Sequence, residues 1–343
     1  MRRIVAASVA ALATVAIVSA GNPAQAAAGP FGHTATGTVF NPNPVQELGL
    51  ENLTDSKDAD DAVFGPAYHR KTLTDLDGSG TLTGAYVRVK STTGKPATAV
   101  GGAFPDWHRD ADQFEQVMGY YWVTTAQHYL QQLGFGSTLR PVNQRQIELR
   151  IDQFGGDNSF FRDDKANITL GKGGVDDAED AEVIVHEYGH SVQDGQVPGF
   201  GTTPESGAIG EAFGDYLAVA VTSWAAGVPT RTPEACVADW DSTSYTSTVP
   251  HCLRRLDGTK VYPGDVVGEV HADGEIWSRA LWDIRSALGD TRGSTLIVEA
   301  QFGFAVDTTF AAAAATTVAT AQRLYGSAAA NAVRAAFAAR GIR

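Results

Sequence analysis

Cysteine, long apolar runs, internal repeats and an excess of positive charge are all scarce or missing in this sequence. Its two cysteines, Cys236 and Cys252, sit in no C-x-x-C or other metal spacing, which excludes a cysteine-built metal site. Beyond residue 26 no stretch has 18 consecutive apolar residues, so no membrane-spanning helix and no stable membrane association is expected. Lysine and arginine number 26 against 39 aspartates and glutamates, a formal net charge of −13. A chain this acidic repels phosphate backbones, so nucleic acid is not an expected partner. Hydrophobic residues make up 43% and charged residues 19% of the chain, which excludes a disordered or collagen-like protein. Over 343 residues that composition allows two packed lobes and a short processed segment.

Residues 1–26 read as an export signal. Arg2 and Arg3 form the positive start, Ile4–Ala20 is an uncharged, mostly apolar run, and Ala24-Gln25-Ala26 supplies the cleavage site. The run is interrupted by Ser8, Thr14 and Ser19 and is short for a bilayer span. A secreted, extracellular protein is expected. In an oxidising exterior Cys236 and Cys252 should be bridged, which the chain-entropy model values at roughly 3 kcal/mol. The residues between them, Asp239, Asp241, Ser242 and Thr243, read as exposed loop.

Residues 27–80 are rich in Pro, Asn, Asp and Gly and suggest turns with short strands. The run Asp75-Leu76-Asp77-Gly78-Ser79-Gly80 looks like a calcium loop but has Tyr86 where the twelfth-position acid belongs. It therefore reads as a tight turn before a strand at 81–90. Apolar spacing predicts a helix over 110–133, whose stripe is core, and strands at 147–151 and 167–170. From Asp180 onward helices are expected at 181–194, 205–224, 270–288, 309–324 and 327–340. Strands first and helices second make an α+β fold.

The chemistry concentrates in Val185-His186-Glu187-Tyr188-Gly189-His190, an H-E-x-x-H motif. Four helical steps place His186 and His190 on one face, one turn apart, where both can hold a metal. Zinc accepts neutral imidazole nitrogen and leaves one tetrahedral position to water, beside which Glu187 can act as base. Gly189 is read as removing bulk beside the metal. Glu211 and Asp215, four apart among Ile209, Ala212, Phe213 and Leu217, share a half-buried face. One of them can complete the ligand set while the other orients a ligating histidine.

These segments resemble the thermolysin-type gluzincins, and among them the fungalysin branch of secreted metalloproteases. The likeness rests on Gly173–Asp180, on His186–His190, on Ser206–Asp215 and on Val270–Trp277, with support from Asp157–Phe161. It implies a two-lobed zincin-like fold. A mixed N-terminal lobe (27–195) would carry the zinc-binding helix, and a helical lobe (196–343) would follow it, with the active-site helix between. It implies one zinc held by His186, His190 and Glu211, Glu187 as catalytic acid and base, and Asp215 behind the ligands. His271 would serve the oxyanion, Arg254 would hold a substrate carbonyl, and Asn158 and Ser159 would line a backbone-binding edge strand. From the residues alone His271 is equally a helix cap or core residue, Asp265 and Glu269 could keep it cationic, and Arg254 competes with Arg255. No tyrosine, the family's second oxyanion donor, lies between His190 and Glu211, and Phe200 is the nearest aromatic. Calcium stays open, since the acids at 176–182 could bind it or favour a helix N-terminus. The expected activity is a monomeric endopeptidase acting on proteins or peptides; an exopeptidase and a zinc-binding module without turnover are the alternatives.

Overall fold

A computed structural model describes residues 31–91, 94–227 and 230–343. The export signal read at 1–26 lies outside the described residues. Strand β1 (His33–Phe40) pairs antiparallel with β2 (Tyr68–Leu76), with the short helix α1 (Pro44–Leu48) between them. These strands are longer than the turn-rich composition of 27–80 suggests. Their paired residues lie 28 to 43 positions apart in the chain, a contact that local composition does not register.

A second sheet has the order β3 (Val87–Ser91), β4 (Ile147–Ile151), β6 (Asn167–Thr169), β5 (Phe160–Arg162). The first three strands run parallel, and β5 is antiparallel at the edge. The long helix α2 (Asp112–Gln132) packs across this sheet with Phe114, Val117, Met118 and Trp122 fully buried. Gly119 permits the close approach, because a Cβ there would stand 2.5 Å from Leu149 Cδ2.

Helices fill the rest: α3 (Ala181–Gln196), α4 (Pro204–Ala226), α5 (Val270–Leu288), α6 (Asp290–Gln301), α7 (Phe310–Tyr325) and α8 (Ser327–Ala339). Between α4 and α5, β7 (Cys236–Val237) pairs antiparallel with β8 (Arg254–Arg255). Helix α6 was not expected from the sequence. Its Leu296-Ile297-Val298 run favours strand by propensity, yet α6 packs tightly behind α5, where a Cβ at Gly293 would lie 2.7 Å from Arg285 Cα. Cys236 and Cys252 are disulfide-bonded, Cα to Cα 5.1 Å, two residues before β8. Among the described residues no helix is long and apolar enough to cross a membrane.

The loop after β7 corrects the sequence reading. Asp239, Asp241 and Ser242 are buried, because they close over the N-terminus of α3. Asp180 caps that helix by accepting from Glu182 N, and its Oδ2 accepts from Trp240 N and Asp241 N, each at 3.2 Å. Asn43 Nδ2 donates to Asp239 Oδ1 at 2.7 Å and reaches Asp180 at 3.3 Å. Glu182 accepts from Ala238 N at 2.7 Å and from Thr222 Oγ1 at 3.1 Å. Glu179 is met by Arg109, whose fully buried guanidinium also binds Asp55 and lies over the rings of Phe64 and Trp240. The acids Asp180 and Glu182 thus serve to anchor the start of α3.

This anchoring predicts the cost of Asp180→Ala. Loss of the cap costs about 0.5–2 kcal/mol, and the stranded buried amides of Trp240 and Asp241 add about 1–3 kcal/mol each. Denaturant unfolding should therefore show a clear loss of stability; a change within ±0.5 kcal/mol would refute the anchoring role.

Candidate metal centre and cleft

Helix α3 carries His186 and His190 on one face, with ring centroids 4.9 Å apart and planes at 83°. Helix α4 crosses it closely. A Cβ at Gly189 would stand 2.9 Å from Gly214 Cα, so Gly189 serves the helix crossing rather than the space beside a metal. The glycine that makes room for the imidazole is Gly214, where a Cβ would lie 2.7 Å from His186 Nδ1. Sequence reading had not singled it out, because only the crossing of α3 and α4 shows what it faces.

The crossing brings Glu211 and Asp215 to opposite sides of His186. Glu211 Oε2 is 3.2 Å from His186 Nε2, and Oε1 is 3.6 Å from His190 Nε2. His186, His190 and Glu211 offer one ligand atom each, all within 4.8 Å of one another. On the far side His186 Nδ1 is hydrogen-bonded to Asp215 Oδ1 at 2.8 Å. Asp215 is also gripped by Arg254, whose Nε and Nη2 donate to its two oxygens at 2.7 Å each.

The charges respond to this packing. Burial opposes the imidazolium of His186, but hydrogen bonds to Asp215 and Glu211 outweigh it and raise its pKa to about 10. His190 is lowered to about 4, chiefly by burial. Burial works against the Glu211 carboxylate, yet His190 and His186 hold its pKa down to about 2. Asp215 is held well below the usual carboxylate range, since Arg254 and His186 overcome its burial. Glu187 is raised to about 7 by burial, and the nearby Glu211 charge adds to the effect. Glu187 Oε2 is buried without a hydrogen-bond partner, and Glu211 Oε2 is buried with two imidazoles close but misaligned.

A cleft of about 400 Å³ opens over these groups. The edge strand β5 and the preceding Asn158 and Ser159 line one side; His271, Phe200 and Gln193 line others. A smaller pocket of about 90 Å³ continues from it past Leu253 and Arg254. His271 stands half-exposed at the start of α5, with Nε2 3.2 Å from Glu211 Oε2 and Nδ1 2.6 Å from Glu269 Oε1. Of its two acidic neighbours Glu269 makes the contact and also caps α5, while Asp265 accepts from Val261 N. Ser159 Oγ donates to Asp177, and Arg255 pairs with Asp257 rather than with the site. Gly214 is the site residue whose role the sequence did not reveal, and the structure selects Glu269 over Asp265 as the partner of His271.

A family model described as fungalysin metallopeptidase (M36) matches residues 171–342, a span that begins before α3 and runs past α8. The chain belongs to the fungalysin metallopeptidase family. It is accordingly a metallopeptidase, a hydrolase of peptide bonds. The fold is similar to the precursor of protealysin, a metalloproteinase from Serratia proteamaculans. That likeness covers 78% of this chain and 92% of the other, with a TM-score of 0.56 and 17% sequence identity. Comparison with curated proteins gives no match.

Because Asp215 fixes which nitrogen of His186 points to the cleft, Asp215→Ala should weaken metal binding about 10–100-fold. Competition titration against a metal-binding dye measures this, and an unchanged affinity would show that Asp215 serves packing alone.

Proposed function

We propose that this chain is an exported zinc endopeptidase that cuts internal bonds of proteins and peptides. Its cleft would lie between a mixed lobe, residues 27–195, and a helical lobe, residues 196–343. The observation that carries the reading is Glu187, a buried carboxylate with a free oxygen set beside two imidazoles and a third ligand carboxylate. Two nitrogens and one oxygen within 4.8 Å suit zinc, which takes three protein ligands at catalytic sites and keeps one position open. When bound, zinc would supply Lewis acidity to the scissile carbonyl and lower the pKa of a water.

The chain's own residues supply the rest. His186, His190 and Glu211 hold the metal, and Asp215, itself held by Arg254, orients His186. Glu187 takes the water's proton during attack and passes it to the leaving amine. Burial pushes the Glu187 carboxyl above the ordinary carboxylate range, which suits a group that must first take and then give a proton. His271, supported by Glu269, donates through Nε2 to the oxygen that becomes negative. A peptide lying along the outer edge of β5 would hydrogen-bond through its backbone, with Asn158 and Ser159 at one end. Arg254 lines the smaller pocket and would approach the carbonyl on that side.

Incubation with casein, with and without a zinc chelator, tests the reading through mapped cut sites. Chelator-sensitive internal cuts support it, terminal trimming would make the enzyme an exopeptidase, and no cleavage would leave a binding module. Glu187→Gln should retain stoichiometric metal and lose nearly all turnover, whereas His190→Ala should lose the metal. His271→Ala should reduce kcat by about 10²–10³ with little change in KM, as expected of a lost oxyanion donor. Normal kcat with a lowered Tm would instead make His271 a structural residue.

A further inference from the structure

Far from the histidines, three acids converge where the sheet meets α2. Asp112 and Glu115 come from the first turn of α2, and Asp152 follows β4 directly. One oxygen from each lies within 4.8 Å of the others. Asp152 is 1% exposed and Glu115 2% exposed. Both carboxylate oxygens of Asp152 and Oε2 of Glu115 have no hydrogen-bond partner. Nearby acids make matters worse: Asp112 and Asp58 act on Asp152, and Asp176 and Glu179 act on Glu115. The neighbouring cations do not resolve this. Lys172, which acts on Asp152, is exposed, and Arg109 is engaged by Glu179 and Asp55.

Carboxylates this close and this dry cannot all be charged without a compensating cation. Unpartnered oxygens on buried Asp152 and Glu115, gathered within 4.8 Å of an Asp112 oxygen, leave either protons or a metal between the three groups. The sequence had placed only core on this helix, because the third acid arrives from a strand distant in the chain.

We propose that Asp112, Glu115 and Asp152 bind a hard divalent cation, calcium in an extracellular setting, as a second metal site. The donor set is all oxygen, with neither imidazole nor thiolate, and so selects calcium, magnesium or manganese over zinc. Carbonyls or waters complete the shell that calcium requires. Such an ion ties the start of α2 to residue 152, where the chain leaves β4 and runs on to Asn158 and the cleft wall. Its role is to stabilise that junction, and it is independent of the function proposed for the histidine site.

The test uses full-length mature protein stripped of divalent ions on chelating resin and then supplied with one equivalent of zinc. Calcium chloride should raise its Tm by about 5 °C at concentrations a hundredfold above Kd. Terbium, excited through the protein's tryptophan and tyrosine side chains, should bind and be displaced by calcium. The double variant Glu115→Gln, Asp152→Asn should lose the calcium shift and the terbium signal. Its metal-free Tm should equal or exceed that of metal-free wild type, since the repulsion is gone, and this also shows that it folds. The variant Asp241→Asn, in the separate acid group with Asp157 and Asp177, should keep the shift. A wild type that does not respond to calcium would mean that the carboxyls share protons only, and would overturn the proposal. So would a double variant that keeps the full shift, or an Asp241 variant that loses it.

Discussion

One buried carboxylate organises the candidate metal centre of this molecule. Asp215, almost without solvent, accepts from His186 on one side and from both donors of an Arg254 fork on the other. A lone charge in that position would be too costly to keep, and the Arg254 guanidinium together with the His186 imidazole turns the cost into orientation. The consequences spread outward. His186 can present only Nε2 to the cleft, across a crossing of α3 and α4 that Gly189 and Gly214 keep close. The β7–β8 ribbon, closed by the Cys236–Cys252 disulfide, must hold Arg254 where it can reach across.

The same economy governs the other end of α3. Asp180, Glu182 and Asp239 are buried together, and burial pushes all three upward, Asp239 to about 8. Amides of the β7 loop, Asn43 and Thr232 supply the hydrogen bonds that keep the cluster tolerable. Helix α3 is therefore held at its N-terminus by polar contacts from distant segments and at its middle by Asp215. Rigid placement of His186 and His190 follows from these two attachments.

Much of this site was legible in the chain. H-E-x-x-H fixes a face of a helix through a periodicity of 3.6, and Glu211 and Asp215 repeat the same logic one helix later. Both readings need only local geometry. Helices α3, α4, α5, α7 and α8 lie within a few residues of where their spacing predicts them. What failed was whatever depended on a partner. The lengths of β1 and β2 follow from pairing with each other. Helix α6 forms against its β-branched propensity because α5 covers it. The acids of 239–242 look like loop until α3 is placed beneath them.

The sequence by itself determined the candidate ligand types, their spacing along two helices and the α+β order of elements, since these are properties of neighbours in the chain. It also specified which two cysteines could bridge, there being only one pair. Tertiary structure decided that Gly214, not Gly189, makes room for His186, and that Glu269 rather than Asp265 supports His271. It also decided that Asp152 meets Asp112 and Glu115. Each of these is a contact between residues on different elements, and an element's own periodicity says which face it shows but not what will lie against it.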